Sequence, residues 1–243
     1  MSNKVIVGIY DAVGGPKTPI MRADGYQAGP TDKGEYVIAY CAKHSSPRMY
    51  RTWSNIRWGT PLRERKGILE VYINGKWQAL KNFTSATKTD IQDYHQQLYG
   101  SWKVPKTWVF NDFGHITCYF FQDINKNRRL DGKERIHAEF VHTTPGNEAQ
   151  SAQGKPVILT ESHGCIHVEP SDIDNMIKNG YLNKGNTLII HSYPDTAPIW
   201  PWGIGTPPFE VHFFPGAKKI VIKGKGEPFD FKKIYHDILD SLF

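Results

Sequence analysis

The chain has 243 residues, 39% hydrophobic and 22% charged, which is ordinary globular usage and excludes a disordered chain. Its 30 basic and 24 acidic residues give a net charge of +6 and a pI near 9.1, suited to an anionic partner such as an acidic wall polymer. The basic residues are scattered without a long run, so no nucleic-acid partner is expected, and apolar runs such as VIVGIY and TLIIH are too short for membrane insertion.

In chain order, MSNKVIVGIYDAVGGPK offers an apolar stretch too short for a signal-peptide core and no small-residue cleavage site, so no ordinary export signal is expected. A turn-like TDKG leads into a predicted strand over residues 35–42. ILEVYINGKWQAL reads as a hairpin about Asn74-Gly75. TWVFNDFGHITCYFF reads as a second, with Ile116, Cys118 and Phe120 on one face and Cys118 as a packing residue. A helix is predicted over residues 89–99, with Thr89 and Gln92 at capping-box spacing and Ile91, His95 and Leu98 on one face. Another opens at Ser171 and Asp174, carries Ile173, Met176 and Ile177 as its apolar stripe and stops at Gly180. The strand NTLIIH follows. Five prolines in YPDTAPIWPWGIGTPP exclude regular structure over most of residues 193–208, which read as a connector or active-site flap. A last amphipathic helix would bury Phe231, Ile234, Tyr235, Ile238 and Leu242.

Cys41, Cys118 and Cys165 are too few for a disulfide framework or a paired-CxxC zinc site, and at least one thiol stays unpaired within the monomer. Chemistry concentrates in SHGCIHVEP. If this stretch is extended, His163, Cys165 and His167 share a face. A thiol with an ordinary pKa of about 8.5 needs a neighbouring imidazole to become a competent nucleophile. Gly164 would let a substrate carbonyl approach the backbone, where N–H groups near 164 and 165 could hold an oxyanion. Upstream, RIHAEFVH alternates, with Ile136, Ala138, Phe140 and His142 on one face. This places His142 at the rim of a core, a suitable position for a base.

His142-Thr143-Thr144-Pro145, then Ser162-His163-Gly164-Cys165-Ile166, a short helix and NTLIIH together resemble the L,D-transpeptidase catalytic domain, the YkuD-like family. GPTDKGEYVI resembles that family's early segment at Thr31, Gly34 and Tyr36, with Asp32 in place of proline. The resemblance implies a mainly β fold with a few short helices, a β-sandwich or mixed-sheet catalytic domain over residues 1–193 with an insertion at 41–115, and a connector and C-terminal extension over 194–243. It implies that Cys165 attacks the L-to-D bond of a peptidoglycan tetrapeptide stem and that His142 is the base. His163, Gly164 and the Cys165 backbone would shape the oxyanion site, Ser162 would support it, and a carbonyl near Thr143 would orient His142. Thr143 and His167 are the expected substrate-binding residues. His167 departs from the family's usual arginine or asparagine, and a neutral imidazole cannot make arginine's bidentate contact. The linker at 143–161 is slightly long for the pattern.

No cofactor is expected. The rival reading, a zinc-dependent hydrolase, would draw on His142, His163, Cys165, His167 and His191. Ligands at i, i+2 and i+4 of a strand diverge by about 7 Å per step, awkward for zinc bonds of about 2 Å. Asp123, Asn125, Asn127, Asp131 and Glu134 fall at EF-hand positions 1, 3, 5, 9 and 12, but Arg128 replaces the turn glycine, so a surface turn is expected there. A third reading is an inactive wall-binding module using Trp53, Trp58, Trp77, Trp200 and Trp202, although tryptophan packs in cores more often. A peptidoglycan enzyme without an export signal fits non-classical delivery to the periplasm or cell wall, for example as a secreted antibacterial effector with an immunity or delivery partner.

Overall fold

The structure, a computed structural model, describes residues 3–46 and 52–230; the helix expected over the last residues lies outside the described residues. Its strands are β1 (Lys4–Val13), β2 (Ile20–Met21), β3 (Gln27–Ala28), β4 (Gly34–Ala42), β5 (Leu62–Arg65), β6 (Ile68–Ile73), β7 (Lys76–Ala79), β8 (Thr117–Phe121), β9 (Val141–His142), β10 (Ile166–Val168), β11 (Thr187–Ile190), β12 (Gly203–Phe214) and β13 (Lys219–Pro228). Its helices are α1 (Lys88–Tyr99), α2 (Pro145–Ala152) and α3 (Pro170–Lys178). The expected mainly β architecture forms as a closed barrel in the order β1-β10-β9-β8-β4-β11-β12-β13, with β13 returning to β1.

Period-2 alternation builds the barrel interior. Tyr36 and Ile38 of β4, Cys118 and Phe120 of β8, Val141 of β9, and Ile166 and Val168 of β10 join one buried cluster with Ile173 and Met176 of α3. The alternate residues Val37, Ala39, Tyr119 and Phe121, with Phe113 and Phe140, form a second apolar layer on the outer face. Sheet β5-β6-β7, α1 and the segment through Phe110 enclose a separate core of Ile56, Leu62, Val71, Leu80, Ile91 and Trp108. The described residues from 53 to 110 therefore pack around a core of their own, and Phe113 covers the sheet face beside β9.

Several local expectations change. Only β8 forms from the second predicted hairpin, because Trp108 and Phe110 turn into the inserted core and Asn111 Nδ2 ties this segment to the carbonyls of His44, Ser54 and Ile56. Helix α1 starts one turn fraction earlier, at a capping box made by Thr87 and Asp90 rather than Thr89 and Gln92. Cys118 is more than a packing residue, since β4 and β8 place it opposite Cys41 and the two form a disulfide. Despite its prolines, the 193–208 segment enters β12 at Gly203, with Pro207 and Pro208 lying where the β12–β13 register shifts. Residues 203–228, expected in an extension, thus close the barrel.

Candidate active site

Strands β9 and β10 run parallel with His142 opposite His167. A parallel pair needs a crossover, and α2 lies within the one that links them, while α3 follows β10. Helix α2 occupies the region expected to be linker. Its start is legible in Thr144-Pro145: the Thr144 hydroxyl accepts from Asn147 N at 3.1 Å and proline takes the first helical turn. With Val141, Ile166 and Val168 inside the barrel, His142 and His167 face the outer layer, where the Phe113 ring stands edge-on to His142 at 4.7 Å.

Residues 163–165 bend rather than extend, and β10 begins only at Ile166. The expected common face of His163, Cys165 and His167 does not form. His163 is exposed and pairs with Asp24 at 3.2 Å, Cys165 is partly buried against the outer apolar layer, and His167 is buried. The bend is held by Ser162, whose hydroxyl donates to the Cys165 carbonyl at 2.5 Å and accepts from Gly164 N at 2.9 Å. Gly164 sits at φ 150°, and a Cβ there would lie 2.5 Å from Glu139 Oε1, so glycine is required by backbone conformation and by close approach.

Groups distant in sequence clamp this bend. Ser162 N donates to the Gly14 carbonyl at 3.0 Å, and Gly29 N donates to the His163 carbonyl at 3.2 Å. The buried Thr31 hydroxyl accepts from Gly15 N at 3.0 Å, while the Tyr193 hydroxyl donates to the Gly15 carbonyl at 2.6 Å. Glu139 accepts from Asp32 N at 3.0 Å. The sequence reading identified Thr31 by resemblance but missed Gly14, Gly15, Glu139 and Tyr193. Their contacts are with backbone groups far along the chain, so no local spacing reveals them.

Burial dominates the ionisation of Cys165, Glu139, His142 and His167. Burial is the main reason the Cys165 thiol is pushed up to about 12, with the Glu139 charge adding to a rise that backbone hydrogen bonding at Phe140 and at Cys165 itself opposes. Glu139 is in turn pushed up to about 8, chiefly by burial. His142 is held well below the ordinary imidazole range by burial and by neighbouring His167. Burial likewise lowers His167 to about 4, and its Nδ1 donates to the Thr160 carbonyl at 2.8 Å. The His142 and His167 rings meet edge-to-face at 4.8 Å. Because His142 is neutral and its Nδ1–H donates to the Thr143 carbonyl at 2.5 Å, Nε2 is left as the acceptor. That Nε2 is buried and has no hydrogen-bond partner, so Cys165 and His142 are not bonded to one another here.

Metal-ligand convergence follows a different pattern from the sequence reading. Among the described residues, the group of His, Cys, Asp and Glu side chains close enough to share an ion is Asp32, His137 and Glu139; His142, His163, Cys165, His167 and His191 do not form one. The 123–134 loop folds as a turn in which Arg128 takes the glycine position at φ 58° and bonds the Gly185 carbonyl and the Thr187 hydroxyl. There Glu134 accepts from backbone N–H groups of Ile124 and Asp131, and Asp131 is tied to the Asn125 and Asn127 amides. Of the tryptophans, Trp53 packs on the inserted core, Trp77 lies under Arg63 and Trp202 packs beside Ile6.

Searches of curated proteins and of solved structures found no match to the chain. The family model of the L,D-transpeptidase catalytic domain, YkuD, matches residues 1–199, a span that includes the histidine strand, the Ser-His-Gly-Cys bend and the segments clamping it; the chain belongs to this family.

Proposed function

We propose that this L,D-transpeptidase-type domain is a cysteine acyltransferase acting on peptidoglycan tetrapeptide stems, with Cys165 as nucleophile and His142 as general base. The observation that carries the reading is a free thiol on the bend that leads into β10, the strand paired with β9, whose His142 has its Nδ1 proton fixed and its Nε2 left as an unpartnered acceptor. Burial favours the neutral thiol and neutral imidazole, so the resting site is not an ion pair. Proton transfer from Sγ to His142 Nε2 accompanies attack, when the substrate carbonyl and a tightened geometry make the charge separation favourable.

Sulfur adds to the carbonyl of the L-to-D peptide bond, and the oxyanion develops beside the Cys165 N–H, which already faces its own sulfur. The Gly164 N–H, the other expected donor, is occupied by Ser162. The C–N bond breaks, the departing amine takes the proton from His142, and an acyl-thioester remains. An amine or water then attacks the thioester as His142 accepts its proton, and the thiol is restored. His167 acts in this reading through its packing on His142 rather than by touching substrate.

Incubating the protein and its Cys165→Ala variant with purified tetrapeptide muropeptides, with products read by mass spectrometry, tests the reading. Loss of the terminal residue, its exchange or dimer formation identifies carboxypeptidation, exchange or cross-linking. Products that persist in the variant would overturn the thiol mechanism. The Cys41–Cys118 disulfide supports action in an oxidising compartment such as the periplasm, compatible with delivery as an antibacterial effector. Periplasm-directed expression is expected to be toxic and cytoplasmic expression harmless; equal toxicity would sink that part.

A further inference from the structure

Thr143 is fully buried and does not carry the reacting atoms, yet separate elements converge on it. Its carbonyl holds His142 Nδ1–H, and its hydroxyl donates to Glu148 Oε1 on α2. Gly114, at φ 64°, presses on the same point; a Cβ there would overlap the Thr143 hydroxyl and lie 2.7 Å from Glu148 Oε1. Glu148 is itself anchored. The same oxygen accepts from His115 N at 3.0 Å and from His115 Nδ1 at 2.6 Å, while His115 Nε2 donates to Asp174 Oδ1 of α3 at 2.9 Å. A hydrogen-bonded chain therefore runs from Asp174 through His115, Glu148 and Thr143 to the ring of His142.

Which nitrogen of a neutral imidazole carries the proton is set by the hydrogen bond made at the other end of the ring. Here that bond depends on the direction of one carbonyl, hence on the peptide plane following Thr143. Two anchors fix the plane: the Thr143 hydroxyl on Glu148 and the Thr144 cap of α2. If it rotated, His142 Nδ1–H would lose its acceptor in a site without water-exposed alternatives, and the opposite tautomer would remove the acceptor lone pair from Nε2.

We propose that Glu148, clamped by His115, is a positioning residue that aims the Thr143 carbonyl and thereby keeps His142 in the tautomer with a free Nε2. This rests on the reading of His142 as base. Burial alone would lower the His115 pKa, but the hydrogen bond and charge of Glu148, followed by those of Asp174, raise it to about 9, so the clamp is cationic at neutral pH. Tyr99 of α1 is the further titratable group near Glu148; burial first, with the Glu148 charge adding to it, pushes it up to about 12, so it stays neutral there.

The test reads the His142 ring by nitrogen NMR in a Cys165→Ala background, where no turnover is needed. The parent should show a neutral ring protonated on Nδ1. Thr143→Val and Glu148→Gln should each convert it to a mixture of tautomers, whereas Thr143→Ser should keep the parent signal. In the active protein the first two variants should lower kcat by about tenfold with KM within about twofold, as expected for a misaimed catalytic group. An unchanged tautomer in both variants overturns the proposal whatever happens to turnover. A parent without turnover would instead overturn the proposed function, leaving the ring measurement to decide the positioning role.

Discussion

Two clusters of ionisable groups meet at Thr143 and are opposite in character. On the Cys165 side, His142, His167, Cys165 and Glu139 are all driven toward their neutral forms, chiefly because burial penalises charge. On the far side, His115 is half-buried, and two carboxylates from two helices hold it charged. One residue type thus serves as a neutral acceptor in one cluster and a fixed cation in the other. The difference teaches that partners brought within bonding distance can outweigh burial in setting a histidine's state.

The largest expected effect breaks the neutral cluster. His142→Ala or Cys165→Ala should lower turnover of tetrapeptide muropeptides by roughly three orders of magnitude or more, while His115→Gln should cost about tenfold, measured under identical conditions. Comparable losses for His142 and His115 would erase the distinction between base and anchor.

Next comes the geometry that brings Glu139 against the bend. Gly164→Ala would force a Cβ against the Glu139 carboxyl at an unfavourable φ, so a loss of about 1–3 kcal/mol in denaturant unfolding and a large drop in turnover are expected. Wild-type stability in this variant would mean the close approach is not a constraint.

The charged cluster predicts a pH dependence. The folded His115 pKa, about 9, lies above the ordinary 6.5, so its stabilisation is complete below 6.5 and is lost as pH rises through about 9. Thermal unfolding midpoints of the protein and His115→Gln should differ by a few degrees at pH 6 and converge by pH 10. A gap that stays constant would show that His115 is not held as a cation.

The smallest effect concerns Glu139. With its pKa near 8 it is mostly neutral at pH 6.5, and its charge opposes the Cys165 thiolate only at higher pH. Glu139→Gln should therefore speed Cys165 alkylation by iodoacetamide a few-fold at pH 9 and hardly at all at pH 6.5. Equal rates at both pH values would remove Glu139 from the electrostatics of the thiol.

Much of this was legible before folding. Alternation over Ile116, Cys118 and Phe120 marks residues that reach the barrel interior, and Asn74-Gly75 turns between β6 and β7. Thr31, His142, Ser162, Gly164 and Cys165 could be identified as a set because their types and spacing carry the resemblance. The extended reading of residues 163–165 failed for a physical reason. Ser162 bonds across the bend to Cys165 and Gly164, and this local hydrogen bonding competes with a ladder that starts only at Ile166.

By itself the sequence determined the strands at 35–42, around Asn74-Gly75 and at NTLIIH, which residue types could perform thiol chemistry, and that a thiol would remain unpaired. Only the tertiary structure decided that Cys41 faces Cys118, that β12 and β13 close the barrel, and that His142 is neutral while His115 is charged. Alternation and turn chemistry are short-range properties readable from neighbours. Charge state and disulfide pairing depend on groups tens of residues away, whose distances exist only once the chain has folded.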